Sequence, residues 1–159
     1  MSTTPEPGPY RHDLRPATRA DLPAVLALLA GEDGVVDPAT VEVTDAYERA
    51  FAAVETDPRN EILVLVDAAG EAVGCLQVTR IPGLGKGGAE RALIEAVRIR
   101  ADLRGSGLGR DLVRRTLDRA RAQGCALAQL TSNKSRDAAH RFYLSLGFEA
   151  SHEGFKLLL

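Results

Sequence analysis

Between Leu93 and Arg121 the chain changes its period across a cluster of glycines. Arg91 to Arg100 alternates as a strand does, and the stretch after Gly107 repeats apolar residues at helical spacing. Gly105, Gly107 and Gly109 separate the two patterns. A strand that ends at such a bend and restarts as a helix aims backbone N–H groups at one point. The first N–H groups of a helix have no carbonyl partner within it, and the helix dipole is positive there. The junction is therefore an anion site.

Three phosphate-binding arrangements compete for this junction. A Walker loop needs Gly-Lys-Ser/Thr, and no such triplet follows the glycines; the Gly85-Lys86 pair upstream is followed by Gly87. A Rossmann fingerprint needs its third glycine one residue later, and the antiparallel hairpin read before the junction argues against a βαβ unit. The third arrangement is a pyrophosphate held by successive N–H groups at the strand-to-helix turn, with no metal. Coenzyme A requires that geometry, with its pantetheine arm along the preceding strand.

With 159 residues the chain suits one domain, expected over 10–159 after a disordered lead-in at residues 1–9. Net charge is -2, so no global field draws in nucleic acid or an anionic membrane. The basic excess from Arg98 to Arg121 reads by itself as a solvated face. Cys75 and Cys125 sit in apolar, strand-like runs as structural thiols, and no metal-ligand spacing occurs. No apolar run approaches the ~20 residues of a membrane span, and the N-terminus has no apolar leader. A cytoplasmic location follows as the expectation.

In chain order the pattern predicts a short strand stopped at Pro16, then a helix to Ala30 entered by Thr18 and Asp21 as an imperfect capping box. A weaker helix spans 39–56. A hairpin joins Glu61–Val66 to Ala72–Ile81 through a turn at 67–71, and 82–88 is a mobile connector. After the strand 91–100 comes a helix over 107–123, a fifth strand over 125–131, and a helix over 136–146 capped by Ser135. Two short strands close the chain, over 148–150 and 154–158. The expected fold is α/β: a mixed, mostly antiparallel sheet of six to seven strands flanked by about four helices, in the order β-α-α-β-β-β-α-β-α-β-β.

Arg104-Gly-Ser-Gly-Leu-Gly109 resembles the Arg/Gln-x-x-Gly-x-Gly/Ala motif of the GNAT N-acetyltransferase superfamily. Asp137-Ala-Ala-His-Arg-Phe-Tyr-Leu-Ser-Leu-Gly-Phe148 resembles its second signature, a helix with a tyrosine followed by Gly-Phe. The two stand in the family's order and at its distance. Residues 131–157, with Thr131, Ser132, Asn133, His140, Tyr143, Ser151 and His152, are most similar to the branch that includes aminoalkylphosphonate acetyltransferases. Two positions depart from the common pattern: Arg100-Ala101-Asp102 stands where Asp/His-Pro is usual, and Arg136 stands seven before the tyrosine in place of asparagine.

The resemblance implies an acetyl-CoA-dependent N-acetyltransferase acting by direct attack in a ternary complex on the primary amine of a small molecule. Transfer to a protein N-terminus or lysine is the alternative within the class, and a non-catalytic acyl-CoA sensor the alternative outside it. Relatives are often dimers, so a homodimer is compatible. Acetyl-CoA would lie on the backbone of Val97, Arg98 and Ile99, and its pyrophosphate on Arg104, Gly105, Ser106, Gly107, Leu108, Gly109 and Arg110. Arg104 or Arg110 can add charge to the phosphates, solvated side chains being the plain alternative. Asn133 would bond the pantetheine arm or serve as a turn residue; His140 would touch cofactor or bond within the fold. Tyr143 would protonate the leaving thiolate, and Glu95, raised by partial burial, would take the amine's proton. His152 is a further candidate base. Residues 32–56 and 82–90 should line the acceptor pocket, and they carry no chemical signature.

Overall fold

The structure is a computed structural model describing residues 12–159; the expected lead-in at 1–9 lies outside the described residues. One five-stranded sheet runs in the spatial order β1-β2-β3-β4-β5. Its strands are β1 (Asp13–Pro16), β2 (Asn60–Val66), β3 (Ala72–Ile81), β4 (Arg91–Ile99) and β5 (Leu127–Gln129). β1 to β4 pair antiparallel, and β5 joins β4 in parallel. The helices are α1 (Leu22–Ala30), α2 (Asp45–Glu55), the single turn α3 (Gly85–Gly88), α4 (Leu108–Ala122) and α5 (Asp137–Ser145).

The unbroken apolar run of β2 is explained by burial on both faces. Leu63 and Leu65 pack with Val73, Leu76, Ile94 and Leu112 on the α4 side. Val64 and Val66 pack with Val25 and Leu28 of α1 and with Cys75 on the other. Phe51 ties α2 to Leu22 and Leu26, and it is the buried residue of that helix. The hairpin turn follows the expected plan: Asp67 Oδ1 accepts the N–H groups of Ala69 and Glu71 at 2.9 Å, and Gly70 takes φ +85°. At the entry to α1, Thr18 N–H donates to Asp21 Oδ2 at 2.7 Å, and Arg15 grips the same carboxylate at 2.6 Å.

Several expectations need correction. Among the described residues the sheet has five strands, not six or seven, and five helices flank it. Residues 148–150 and 154–158 form no strands. An apolar alternation becomes a strand only where a ladder partner exists, and beyond Phe148 this segment pairs with no strand. The helix expected over 39–56 begins at Asp45, where Thr44 caps it; Pro38–Thr40 forms a separate 3-10 turn on Asp37. The connector holds the turn α3, with Lys86 and Gly87 in left-handed conformations. Arg136, not Ser135, precedes α5. Ser135 is itself held by Asn133, whose Oδ1 accepts its N–H at 3.0 Å and its hydroxyl at 2.8 Å.

Candidate active site

β4 positions the site by breaking its own regularity. Gln77 faces Glu95 and Cys75 faces Arg98, so Ala96 and Val97 together stand opposite Leu76. This bulge puts Ala96 in a left-handed conformation, φ +54°, which no glycine signal announces. On its other side β4 pairs with β5 only through Arg91, Ala92 and Leu93. Beyond Leu93 the two chains separate. A cleft of about 170 Å³ opens there, with Ile94 to Arg98 on one wall, Leu130 to Asn133 on the other, and Arg136 and Tyr143 from the α5 region.

Tyr143 is half-buried, and its ring is clamped edge-on by Phe142 at 5.1 Å and Phe148 at 5.8 Å. The clamp explains the Gly-Phe pair. Gly147, at φ +95°, lets the chain reverse at the end of α5; Phe148 N–H then donates to Tyr143 O at 3.1 Å and Gly147 N–H to Leu144 O at 3.0 Å. That is a Schellman closure, and it folds Phe148 back onto the tyrosine. Burial pushes the Tyr143 phenol above its ordinary pKa, with Arg136 and Arg98 pulling the other way. The phenol is thus fully protonated at neutral pH. Glu95 lines the same cleft but is exposed, so the partial burial expected for it is absent.

At the glycine turn the site is made of main chain. Gly105 and Gly107 take φ +77° and +87°, conformations that glycine adopts at no steric cost. Gly107 is the N-cap of α4, so the N–H groups of Leu108, Gly109 and Arg110 lack carbonyl partners within the helix. Gly109 differs from its neighbours: it has ordinary helical φ, and a Cβ there would lie 3.6 Å from both Ile99 and Phe142.

The guanidiniums expected at phosphates have other work. Arg104 donates to Gly31 O and Glu32 O at 2.8 Å each, closing the C-terminal end of α1, and weakly to Ile99 O. Arg110 donates to Ser145 Oγ at 2.6 Å, linking α4 to α5. The Ser106 hydroxyl turns back to Leu103 O. Arg98 curls onto Val97 O at 3.0 Å. His140 meets Asn133 O through Nε2 at 2.8 Å, and His152 is exposed beside Ser151. Burial raises the Cys75 thiol to about 12 and also raises Cys125, so neither is poised as a nucleophile.

The Ala96 bulge escaped the sequence reading, and Ser132 entered it only within the 131–157 resemblance, with no role of its own. Ser132 Oγ is buried in the cleft wall with no hydrogen-bond partner, an exception among the described residues. Among the described residues no cluster of His, Cys, Asp and Glu could hold a metal, and no helix is long and apolar enough to cross a membrane.

Residues 23–148 match the acetyltransferase (GNAT) family model. A protein of Bacillus halodurans described as a transcriptional regulator is 41% identical, with 93% of this chain and 99% of that chain covered and a TM-score of 0.84. A protein assigned as an acetyltransferase from Agrobacterium tumefaciens is 30% identical over 92% of this chain and 99% of its own, with a TM-score of 0.79. Glucosamine-6-phosphate N-acetyltransferase of Arabidopsis thaliana shares the fold at 20% identity, a TM-score of 0.74, and coverage of 92% and 97%. No curated protein matches the chain. Members of the matched family use acetyl-CoA as co-substrate. The chain belongs to the GNAT acetyltransferase family.

Proposed function

We propose that the chain transfers the acetyl group of acetyl-CoA to a primary amine of a small molecule, within a ternary complex. The observation that carries this reading is the splayed pair β4/β5: a strand with an unpaired side, interrupted by the Ala96 bulge, bringing Glu95, Val97 and Tyr143 to one cleft. The residues present suit the co-substrate. The orphaned Ser132 Oγ and the unpaired side of β4 offer polar groups to a polyamide arm, and the turn 105–110 offers N–H groups to a pyrophosphate.

Acetyl-CoA supplies an activated acyl thioester. The backbone of β4 at the bulge, Val97 foremost, donates to the acyl oxygen as negative charge develops there. An alkylamine is mostly protonated at neutral pH, so a proton must leave before attack. Glu95 takes it, directly or through water, and its exposure makes it accessible to the acceptor. Tyr143 O–H donates to the departing sulfur, and the raised phenol keeps that proton available. Arg104 serves by locking the turn to the end of α1, and Arg110 by locking α4 to α5.

The test is thiol release from acetyl-CoA across alkylamines, aminophosphonates and peptides bearing a free N-terminus or lysine. Residues 131–157, similar to the aminoalkylphosphonate branch, make aminophosphonates the first amines to include. Release with small amines alone supports the reading. Release with peptides alone moves it to protein substrates. Thermal stabilisation by acetyl-CoA without release from any amine converts it to an acyl-CoA sensor, a reading that the likeness to a protein described as a transcriptional regulator keeps in the comparison.

A further inference from the structure

In a regular strand residues three apart point to opposite faces. Glu95 and Arg98 stand three apart, yet the Ala96 bulge brings them to one face. Glu95 is the cross-strand partner of Gln77 and Arg98 that of Cys75, and Gln77 and Cys75 lie two apart on β3. Their face is the α1 side of the sheet, where Cys75 packs with Val25 and Leu28. Val97 and Ile99 turn the other way and pack on the cluster that holds Leu112 of α4. The extra residue therefore sets a carboxylate and a guanidinium on the same face, about 7 Å apart along the ladder.

Arg98 is half-buried in the cleft wall, and Arg136 joins it there from the start of α5. Among the described residues neither guanidinium belongs to an ion pair. Arginines elsewhere beside the sheet are matched by carboxylates, as Arg119 is by Glu61 and Arg100 by Asp102. Arg98 donates one N–H to Val97 O at 3.0 Å, which leaves donors of its planar fork for a ligand. The carboxylate that lines the cleft is Glu95, so two guanidiniums stand against one acid. The co-substrate does not bring the missing anion. Its phosphates suit the turn 105–110, and the pantetheine arm and thioester that reach the cleft are neutral. The thiolate formed in transfer takes its proton from Tyr143.

We propose that Arg98, assisted by Arg136, binds an anionic group of the acceptor, which makes the acceptor a small zwitterion: its primary amine meets Glu95, and its carboxylate or phosphoryl group meets the guanidiniums. The inference rests on the acetyl-transfer reading above. Base and cation on one face, one strand repeat apart, fit a molecule whose amine and acid are a few bonds from each other. The guanidinium fork takes two oxygens of a carboxylate or of a phosphoryl group at once, which fixes orientation as well as charge. A lysine side chain brings no anion of its own, so the same arrangement disfavours it. Arg98 is thus a specificity-determining residue of the acceptor site, and the Ala96 bulge is what places it beside the base.

Thiol release from acetyl-CoA is measured with three acceptors of matched length: an amino acid with a terminal amine, its amide, and the aminoalkyl phosphate. For the better of the two anionic amines kcat/KM should exceed that for the amide by about 10- to 100-fold, as hydrogen bonds to a charged group allow. Which of the two leads tells carboxylate from phosphoryl. Arg98→Gln should bring the ratio of anionic to neutral acceptor near one, Arg98→Lys should keep part of it, and Arg136→Gln should lower it less. An amide used as well as both anionic amines overturns the proposal. So does an Arg98→Gln variant that slows every acceptor alike and leaves the ratio, since the side chain then only supports the bulge. If Arg98→Gln does not fold, the wild-type ratio and Arg98→Lys decide. If no amine releases thiol, the acetyl-transfer reading falls, and calorimetry of the same three compounds on the chain saturated with coenzyme A decides the anion site. Tighter binding of an anionic amine than of the amide, lost in Arg98→Gln, supports it; equal or absent binding overturns it.

Discussion

The glycine turn and the β4/β5 cleft are built in opposite ways. At the turn the groups proposed to meet the ligand are backbone N–H, and the neighbouring charged side chains are engaged elsewhere: Arg104 on two carbonyls after α1, Arg110 on Ser145. In the cleft the proposed chemistry rests on side chains, Tyr143 and Glu95, beside the backbone bulge at Ala96. The difference predicts different failures. Damage at the turn should weaken binding of the co-substrate and leave turnover. Damage in the cleft should remove turnover and leave binding.

The largest effect is expected for Tyr143→Phe. The ring keeps its packing against Phe142 and Phe148, so stability holds, and kcat should fall about 10²–10⁴-fold with loss of the acid. Burial raises the phenol, so the wild type should keep activity until pH passes the ordinary phenol value of about 10, and this alkaline limb should vanish in the variant. Steady-state kinetics against pH checks both. Full kcat in the variant removes Tyr143 from the mechanism.

Gly107→Ala should cost about 1–2 kcal/mol, because its φ of +87° strains any L side chain although no atom stands within 4 Å. The loss should appear as a lower Tm and weaker acetyl-CoA binding, with kcat at saturation kept. Gly109→Ala is the control inside the same motif. Its Cβ would meet Ile99 and Phe142 at ordinary contact distance, and alanine in a helix is favoured by up to about 1 kcal/mol. Stability should therefore hold or rise, with binding intact. Equal loss of acetyl-CoA affinity in both variants would mean that Gly109 is needed for close approach of the ligand.

Arg104→Met sharpens the contrast further. It should destabilise by about 1.5 kcal/mol, the low end for hydrogen bonds to a charged group because this one lies at the surface. Acetyl-CoA affinity, measured by calorimetry, should change little. A loss of affinity at unchanged Tm would return the guanidinium to the phosphates.

What was legible follows the same division. The turn was readable because left-handed φ and helix entry select glycine, and glycine is visible in a sequence. Tyr143 and its Gly-Phe closure were readable because the Schellman reversal needs Gly147 and a folded-back apolar residue at 148. The bulge was not readable, since Ala96 carries nothing that marks a positive φ. The partners of the Arg104 side chain were not readable, because they are carbonyls more than seventy positions away, at Gly31 and Glu32. The closing strands were overread: alternation supplies a face, whereas a strand also needs a ladder, and β5 runs only from Leu127 to Gln129. The apolar residues of the last segment, Phe155, Leu157 and Leu158, stand exposed instead.

The smallest effect tests whether the turn is held from the far end of α4. Arg119, in the last turn of that helix, makes two hydrogen bonds to Glu61 of β2, at 3.0 and 2.6 Å. Arg119 holds the Glu61 carboxyl below its usual range, while burial opposes it. A depressed carboxylate stabilises the fold fully above its unfolded pKa, near pH ~4.3, and that contribution is lost as pH falls through the folded value. The guanidinium side chain is 39% exposed, so screening limits the pair to about 1 kcal/mol or less. Glu61→Gln should lower stability in urea at neutral pH by that amount, and the gap from wild type should close in the acid range. Arg119→Met should show the same closing gap. Acetyl-CoA affinity should be unchanged in both, since the pair anchors the helix and leaves the N–H groups at its other end in place. A gap that does not vary with pH would mean that packing, not charge, ties α4 to β2.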